Sequence, residues 1–287
     1  MAATDTAEQI DEWLGSDGSD MPALGRVAAE IAIRCDDPQT AAERLAEIVE
    51  REPVLGARVL RLVNSAYFGL SEDVTSVQHA VRLLGHRTVR TVALTAAVLG
   101  AFNDTAGGVF DLDRFWRHSL SVAAGCRALA AHCRAFDAET AFTLGLLHDI
   151  GKLVLVRYRP DDIGRVVRDA RERDVPFIDS ERDMLPFAHP TLGAWLIGRW
   201  HLPAALVDGV GRHHDDDLDA ENPLAAALAF ADYLAIIKSL TASGSHGRAA
   251  IRRDAWVTLG LEPSHVPELI DGMNHELDLA QQLIGDG

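Results

Sequence analysis

Cysteine is scarce in this 287-residue chain: Cys35, Cys126 and Cys133 are the only three, and no two form a Cys-x-x-Cys pair. An odd number of separated thiols, in a sequence with no recognisable signal peptide, excludes a disulfide scaffold and fits reduced cysteines in a cytoplasm. Aromatic residues make up only 6%, and alternating β-branched runs are so few that no segment reads as a strand. No apolar run approaches the roughly 20 residues needed to span a bilayer, which excludes an inserted helix. Basic residues are outnumbered 27 to 43, for a formal charge of −16. So acidic a chain lacks the basic face that a phosphate backbone requires, and nucleic acid is not expected as a partner. Arg82, Arg87 and Arg90, around Leu83-Leu84-Gly85-His86, read as the solvent side of an amphipathic helix.

What the chain does have is apolar helix-forming sequence. Hydrophobic residues reach 48%, with alanine and leucine abundant, and an all-α protein of two helical lobes follows. The breakers set its organisation. Residues 1–20 form an acidic tail, anchored by Trp13-Leu14; residues 21–105 form a first lobe, opened by Met21-Pro22. The linker is Asn103-Asp104-Thr105-Ala106-Gly107-Gly108, and residues 109–240 form the second lobe. A loop over Thr241–Gly247 precedes a helical extension at 248–287.

Seven residues stand where isolated polar groups are costly: His118, His148, Asp149, His189, His213, His214 and Asp232. In Leu146-Leu147-His148-Asp149-Ile150-Gly151-Lys152-Leu153-Val154, a base, an acid and an amine interrupt a stretch whose Leu147, Ile150 and Val154 recur at helical spacing. A buried carboxylate requires a cation, either Lys152 about one turn further on or a metal ion. Neutral imidazole and carboxylate suit divalent iron, manganese, zinc and cobalt. Adjacent helical residues, about 100° apart, project into one cleft without facing each other.

The other candidates gain meaning from their settings. His118 lies in Phe115-Trp116-Arg117-His118-Ser119, on a helix capped by Asp111 or Asp113. His189 precedes Pro190, a favoured first helical residue, which places it at a helix mouth. Asp232 interrupts the apolar run Leu228–Ile237. Taken singly, each has an ordinary explanation. A helical histidine such as His132 is a boundary residue, His213-His214 before Asp215-Asp216-Asp217 fits a helix end running into a solvated acidic loop, and Asp232 fits a bond to a backbone donor. The coincidence of all of them on successive helices is what those explanations leave over.

The order of His118, His148-Asp149 and Asp232 resembles the H…HD…D signature of the HD superfamily of metal-dependent phosphohydrolases. Upstream, Asn64-Ser65-Ala66-Tyr67-Phe68-Gly69, then Val74-Thr75-Ser76-Val77 and Leu83-Leu84-Gly85, is similar to the hallmark of the HDOD domain, an HD-related output domain of bacterial signalling proteins. Phe115–Ser119 and Gly145–Lys152 fit the same family, and the resemblance runs roughly from Met21 to Leu240. It implies an HD-like second lobe and a cytoplasmic regulatory protein that binds a signalling partner or a phosphorylated small molecule. Many HDOD domains are described as lacking the metal ligands, whereas this chain keeps every position.

His189 and His213-His214 also match the additional ligands of HD-GYP cyclic-di-nucleotide phosphodiesterases. The resemblance therefore implies one ion held by His118, His148, Asp149 and Asp232 and a second by His189, His213 and His214, with Asp149 shared. The ions would be divalent transition metals, iron or manganese favoured, with zinc, cobalt, nickel and magnesium as alternatives. Lys152 matches the family lysine that contacts phosphate. The alternative function is thus a metal-dependent phosphohydrolase acting on a nucleotide or other phosphoester through Asp149 and Lys152. Two departures narrow it. Asp215-Asp216-Asp217-Leu218-Asp219 stands where an Asp-Gly-x-Gly-Tyr-Pro loop would read a cyclic di-nucleotide, and Arg114 stands where some relatives carry a glutamate ligand for a third ion. The first lobe carries no candidate ligand, and its expected task is recognition: one of Tyr67 and Phe68 packs while the other marks a contact face beside the exposed pair Arg58 and Arg61, the alternative being that both are buried between the lobes.

Overall fold

The computed structural model describes residues 3–15, 21–34, 41–64, 70, 72–102, 110–215, 222–237 and 253–284. Among these, every regular element is helical: α1 (Ala3–Leu14), α2 (Arg26–Arg34), α3 (Ala42–Glu50), α4 (Pro53–Val63), α5 (Val77–Ala101), α6 (Leu112–Cys133), α7 (Ala138–Leu147), α8 (Ile150–Tyr158), α9 (Pro160–Arg173), α10 (Phe177–Met184), α11 (His189–Arg199), α12 (Ala204–Arg212), α13 (Pro223–Ile237), α14 (Arg253–Thr258), a 3-10 turn at Pro263–His265, and α15 (Val266–Ile284).

The helix starts follow from side-chain acceptors and from proline. Asp111 caps α6 by accepting from the Arg114 N–H at 2.9 Å, and Asp137 caps α7 through the Thr140 N–H at 2.9 Å; each satisfies a donor that the first turn leaves free. Proline occupies the first turn of α4, α9 and α11, where its missing N–H costs nothing. The long α5 is two helical stretches joined at a kink after Leu83-Leu84: Gly85 has φ 77°, a left-handed conformation that glycine adopts without Cβ strain. The first helix after Met21-Pro22 begins only at Arg26.

The chain divides into two compact units. One comprises Met1–Pro22 with Asp104–Met273, the other Ala23–Asn103 with Asn274–Gly287. In the second of these, Ile31, Leu45, Ile48, Leu62 and Phe102 are fully buried. Asn64, at the end of α4, is tied to Val74: its Nδ2 donates to the Val74 carbonyl at 2.8 Å and its Oδ1 accepts from the Val74 N–H at 2.7 Å, so one side chain pairs both backbone groups of a residue ten positions on. Tyr67, Phe68 and Gly69 lie outside the described residues, as do the linker Asn103–Gly108 and the loop Thr241–Gly247. Arg61 and Arg82 are exposed, but Arg58 is half-buried and Arg90 is buried, so neither belongs to an all-solvent arginine face; the apolar stripes of α4 and α5 are wider than their sequence pattern indicates.

The unit that carries every candidate ligand has Phe115, Phe142, Phe230, Leu129, Leu144 and Leu146 at its centre. Within its acidic N-terminal segment, residues 3–15 are described, and α1 docks through the expected Trp13-Leu14 anchor. Ile10 and Leu14 of α1 are buried, Trp13 meets Phe187 edge-on with ring centroids 5.8 Å apart, and Asp11 pairs with Arg199. Ile10, Trp13 and Leu14 fall on one helical face, and that stripe docks the helix despite its charge.

Two helix crossings are unusually close. A Cβ added at Gly145 of α7 would lie 2.7 Å from the Ala123 Cα of α6. One added at Gly151 of α8 would lie 2.0 Å from the His189 carbonyl oxygen and 2.7 Å from the Gly193 nitrogen of α11. Only glycine permits these approaches, and both bring ligand-bearing backbone together.

Candidate metal centre

The helical run expected through His148-Asp149 breaks between the two. His148 ends α7 and Asp149 precedes α8. The His148 ring supplies a reason: its Nδ1 lies 2.7 Å from the Gly145 carbonyl, taking up an acceptor at the helix end. His213 repeats the arrangement at the end of α12, with Nδ1 2.7 Å from the Val210 carbonyl. His189 opens α11, as Pro190 implies, and its Nδ1 pairs with the Glu181 carboxylate on α10.

These partners fix the tautomers. An Nδ1 facing a carbonyl or carboxylate carries the proton and donates it, so in each neutral ring the Nε2 lone pair points inward. Three such nitrogens converge on Asp149. His189 Nε2 lies 3.1 Å from Asp149 Oδ1, His213 Nε2 3.8 Å from the same oxygen, and His148 Nε2 3.4 Å from Oδ2. His118, from the middle of α6, brings Nε2 to 3.2 Å from Asp232 Oδ1 and 3.7 Å from Asp149 Oδ2. Donor atoms of Asp149, His189, His213 and His214 lie within 4.8 Å of one another, and so do those of His118, His148 and Asp232. The structure therefore brings together all seven ligand candidates, in two groups that meet at Asp149.

The electrostatics are those of a cluster short of positive charge. Burial alone would raise the Asp149 carboxyl, yet His148 and Lys152 hold it well below its ordinary range. Burial works against charge on His148 and His189 too, but Asp149 raises the first and Glu181 the second. His213 is pushed down to about 4 by burial, and His214 well below its usual value by burial and by His213 and His189. Each raised ring thus faces a carboxylate that favours its charged form.

The residues fit a metal. Asp149 Oδ1 is buried and accepts no well-directed hydrogen bond, although two imidazole nitrogens face it. His189 Nε2 and His213 Nε2 stand 3.2 Å apart, two inward lone pairs that repel unless a proton or a cation lies between them. Oxygen and imidazole nitrogen are the donor types of divalent transition metals. Lys152, named as the alternative counterion, also takes up that role: its Nζ is 2.6 Å from Asp149 Oδ2 and 5.1 Å from the centre of the Phe177 ring. One carboxylate oxygen is thus neutralised by lysine and the other faces histidine.

Glu181 was not singled out from the sequence. It is fully buried, with 0% exposure, although its neighbours Asp179, Arg182 and Asp183 are charged. Its signal was position: it follows Phe177 and Ile178 by four and three residues, on the face that α10 buries. His132 is exposed and meets the His265 ring at a tilt, ring centroids 4.9 Å apart. Cys126 is buried and its thiol is pushed up by burial and by Asp232, which leaves it unreactive.

Comparison with known proteins agrees with this architecture. A family model for the HDOD domain matches residues 21–216. The chain is 25% identical over 221 residues to an uncharacterized protein of Treponema pallidum, covering 74% of this chain and 42% of that protein, so it spans less than half the length of that curated relative. The crystal structure of an HDOD domain protein of unknown function from Geobacter sulfurreducens shares the fold with a TM-score of 0.82, at 24% identity over 97% of each chain. A Shewanella amazonensis protein, provisionally described as a phosphohydrolase, gives a TM-score of 0.74 at 26% identity, again over 97% of each chain. With the family model matched over well more than half of its length, this chain belongs to the HDOD domain family.

Proposed function

We propose that this protein is a bacterial regulatory or signal-transduction protein of the cytoplasm whose HDOD domain holds one or two divalent transition-metal ions, iron or manganese before zinc, cobalt, nickel or magnesium. It acts by binding a signalling partner or a phosphorylated small molecule. The observation that carries the reading is Asp149 Oδ1, buried without a well-directed hydrogen bond between the Nε2 atoms of His189 and His213. Lys152 neutralises the other oxygen, so what a metal ion adds is a partner for Oδ1 and for the two imidazole lone pairs that face it. Among the described residues no helix is long and apolar enough to cross a membrane. The exposed Arg61 on α4 remains a candidate for partner contact.

A second reading is a metal-dependent phosphohydrolase, favoured by the completeness of the ligand set and by Lys152 beside it. When bound, such ions neutralise phosphoryl charge and raise the acidity of water. The chain's own part would be orientation by Asp149 and a Lys152 contact to a non-bridging phosphoryl oxygen. That contact requires the Lys152 ammonium to turn from Asp149, on which it now sits. Turnover of a simple phosphomonoester by metal-replete protein separates the readings. The regulatory reading expects no rate above that of His148→Ala; a rate abolished in that variant promotes the enzyme.

A further inference from the structure

The two ligand groups share Asp149 but are not equivalent, and the difference lies in what stands behind each ligand. In the group of His189, His213 and His214, the His189 ring is gripped by Glu181 through Oε2, while Glu181 Oε1 accepts from the His189 backbone N–H at 3.3 Å. One fully buried carboxylate therefore fixes both the ring and the first turn of α11. His213 is anchored by Val210. The Asp149 oxygen on this side, Oδ1, is free of any well-directed hydrogen bond.

The group of His118, His148 and Asp232 is less prepared. His148 is anchored by Gly145, but His118 Nδ1 is buried with no partner, and the Asp232 side chain is 21% exposed. The Asp149 oxygen on this side, Oδ2, is already occupied by the Lys152 ammonium at 2.6 Å. An ion arriving here must displace or share with a cation that belongs to the protein.

We propose that Glu181 is a positioning residue for His189, and that the His189–His213–His214 position consequently takes the first metal ion and holds it more tightly than the position Lys152 guards. The inference rests on the metal-binding reading above. Preorganised ligands lose less freedom on binding, and a carboxylate behind an imidazole increases its donor strength. Loss of such a partner lowers metal affinity by roughly 10–100-fold.

The test is titration of chelator-stripped full-length protein with Co²⁺, read by competition with a chromogenic chelator and by the visible spectrum of the bound ion. Glu181→Gln is expected to weaken the first binding step by roughly 10–100-fold, to alter its spectrum and to leave any second step in place. His214→Ala should remove the first step and Asp232→Ala should spare it. Lys152→Met should tighten the second step, because it frees Asp149 Oδ2; it also keeps the test decisive if Glu181→Gln melts before binding is measured. The proposal is overturned if Glu181→Gln folds and binds like wild type, if the first step follows Asp232 rather than His214, or if Lys152→Met weakens binding at the second. Failure of the wild type to bind Co²⁺ at all would overturn the metal-binding reading as well, which distinguishes the two.

Discussion

Replacing Gly151 by alanine tests whether the α8–α11 crossing builds the site. The added methyl carbon would stand 2.0 Å from the His189 carbonyl oxygen, where ordinary contact begins near 3.4 Å. The shortfall, roughly 1.4 Å, falls on backbone of two packed helices, so no flexible side chain can relieve it. Overpacking of this kind costs about 1–3 kcal/mol, and Gly151→Ala belongs at the upper end. For a unit of this size that corresponds to a fall in Tm of roughly 6–12 °C. His189 opens α11, so the same displacement would open its 3.1 Å approach to Asp149 and release metal. Gly198→Ala is the matched control. It lies on α11, the other helix of the crossing, with nothing within 4 Å of the added carbon, and alanine there should stabilise by about 0.5–1 kcal/mol. Melting would be followed by circular dichroism with chelator, for the packing contribution alone, and then with metal. A Gly151→Ala protein that melts within about 1 °C of wild type and keeps its metal would refute the argument.

Further predictions concern pH, the unit that contains Asn64 and substrate choice. In metal-free protein, His148 and His189 have raised pKa values, so their stabilising contribution is full below the unfolded histidine value of about 6.5 and is lost as pH rises through the folded values. His213, at about 4, and His214, lowered well below its usual value, reduce stability as pH falls below about 6.5. Tm should therefore peak in the neutral-to-slightly-acid range without metal and shift upward in pH with it, since the ion replaces the protons; identical profiles would argue against ligation by these rings. Asn64→Ala removes both bonds to the Val74 backbone and should cost about 1–3 kcal/mol in thermal melts, with metal content unchanged. Cyclic di-nucleotides should not be hydrolysed, since Asp215-Asp216-Asp217-Leu218-Asp219 replaces the expected loop; product detected by chromatography and lost in His148→Ala would reverse that expectation.

The sequence displays best what depends on a single residue in a contrasting setting. Asp232 in an apolar helix, His189 before Pro190, and His148-Asp149 inside Leu146–Val154 are polar groups whose burial leaves few explanations, and all seven meet. Aspartate caps and first-turn prolines likewise act through the adjacent backbone, which is why α6 and α11 begin where their residues indicate. Features that depend on tertiary partners were hidden. The break after His148 exists because its ring takes a helix-end carbonyl. Glu181 did not stand out because its neighbours are charged. Arg90 looked exposed because arginine usually is, and α1 looked like a tail because its acidic count outweighed the stripe of Ile10, Trp13 and Leu14.

The central claim is that the histidine–aspartate cluster is a metal site, and elemental analysis of the protein as purified, with neither added metal nor chelator, tests it most directly. The account predicts one to two equivalents of a divalent transition metal per chain, iron or manganese foremost, and loss of most of it in Asp149→Ala. Folded wild-type protein carrying well below one ion per chain would contradict it.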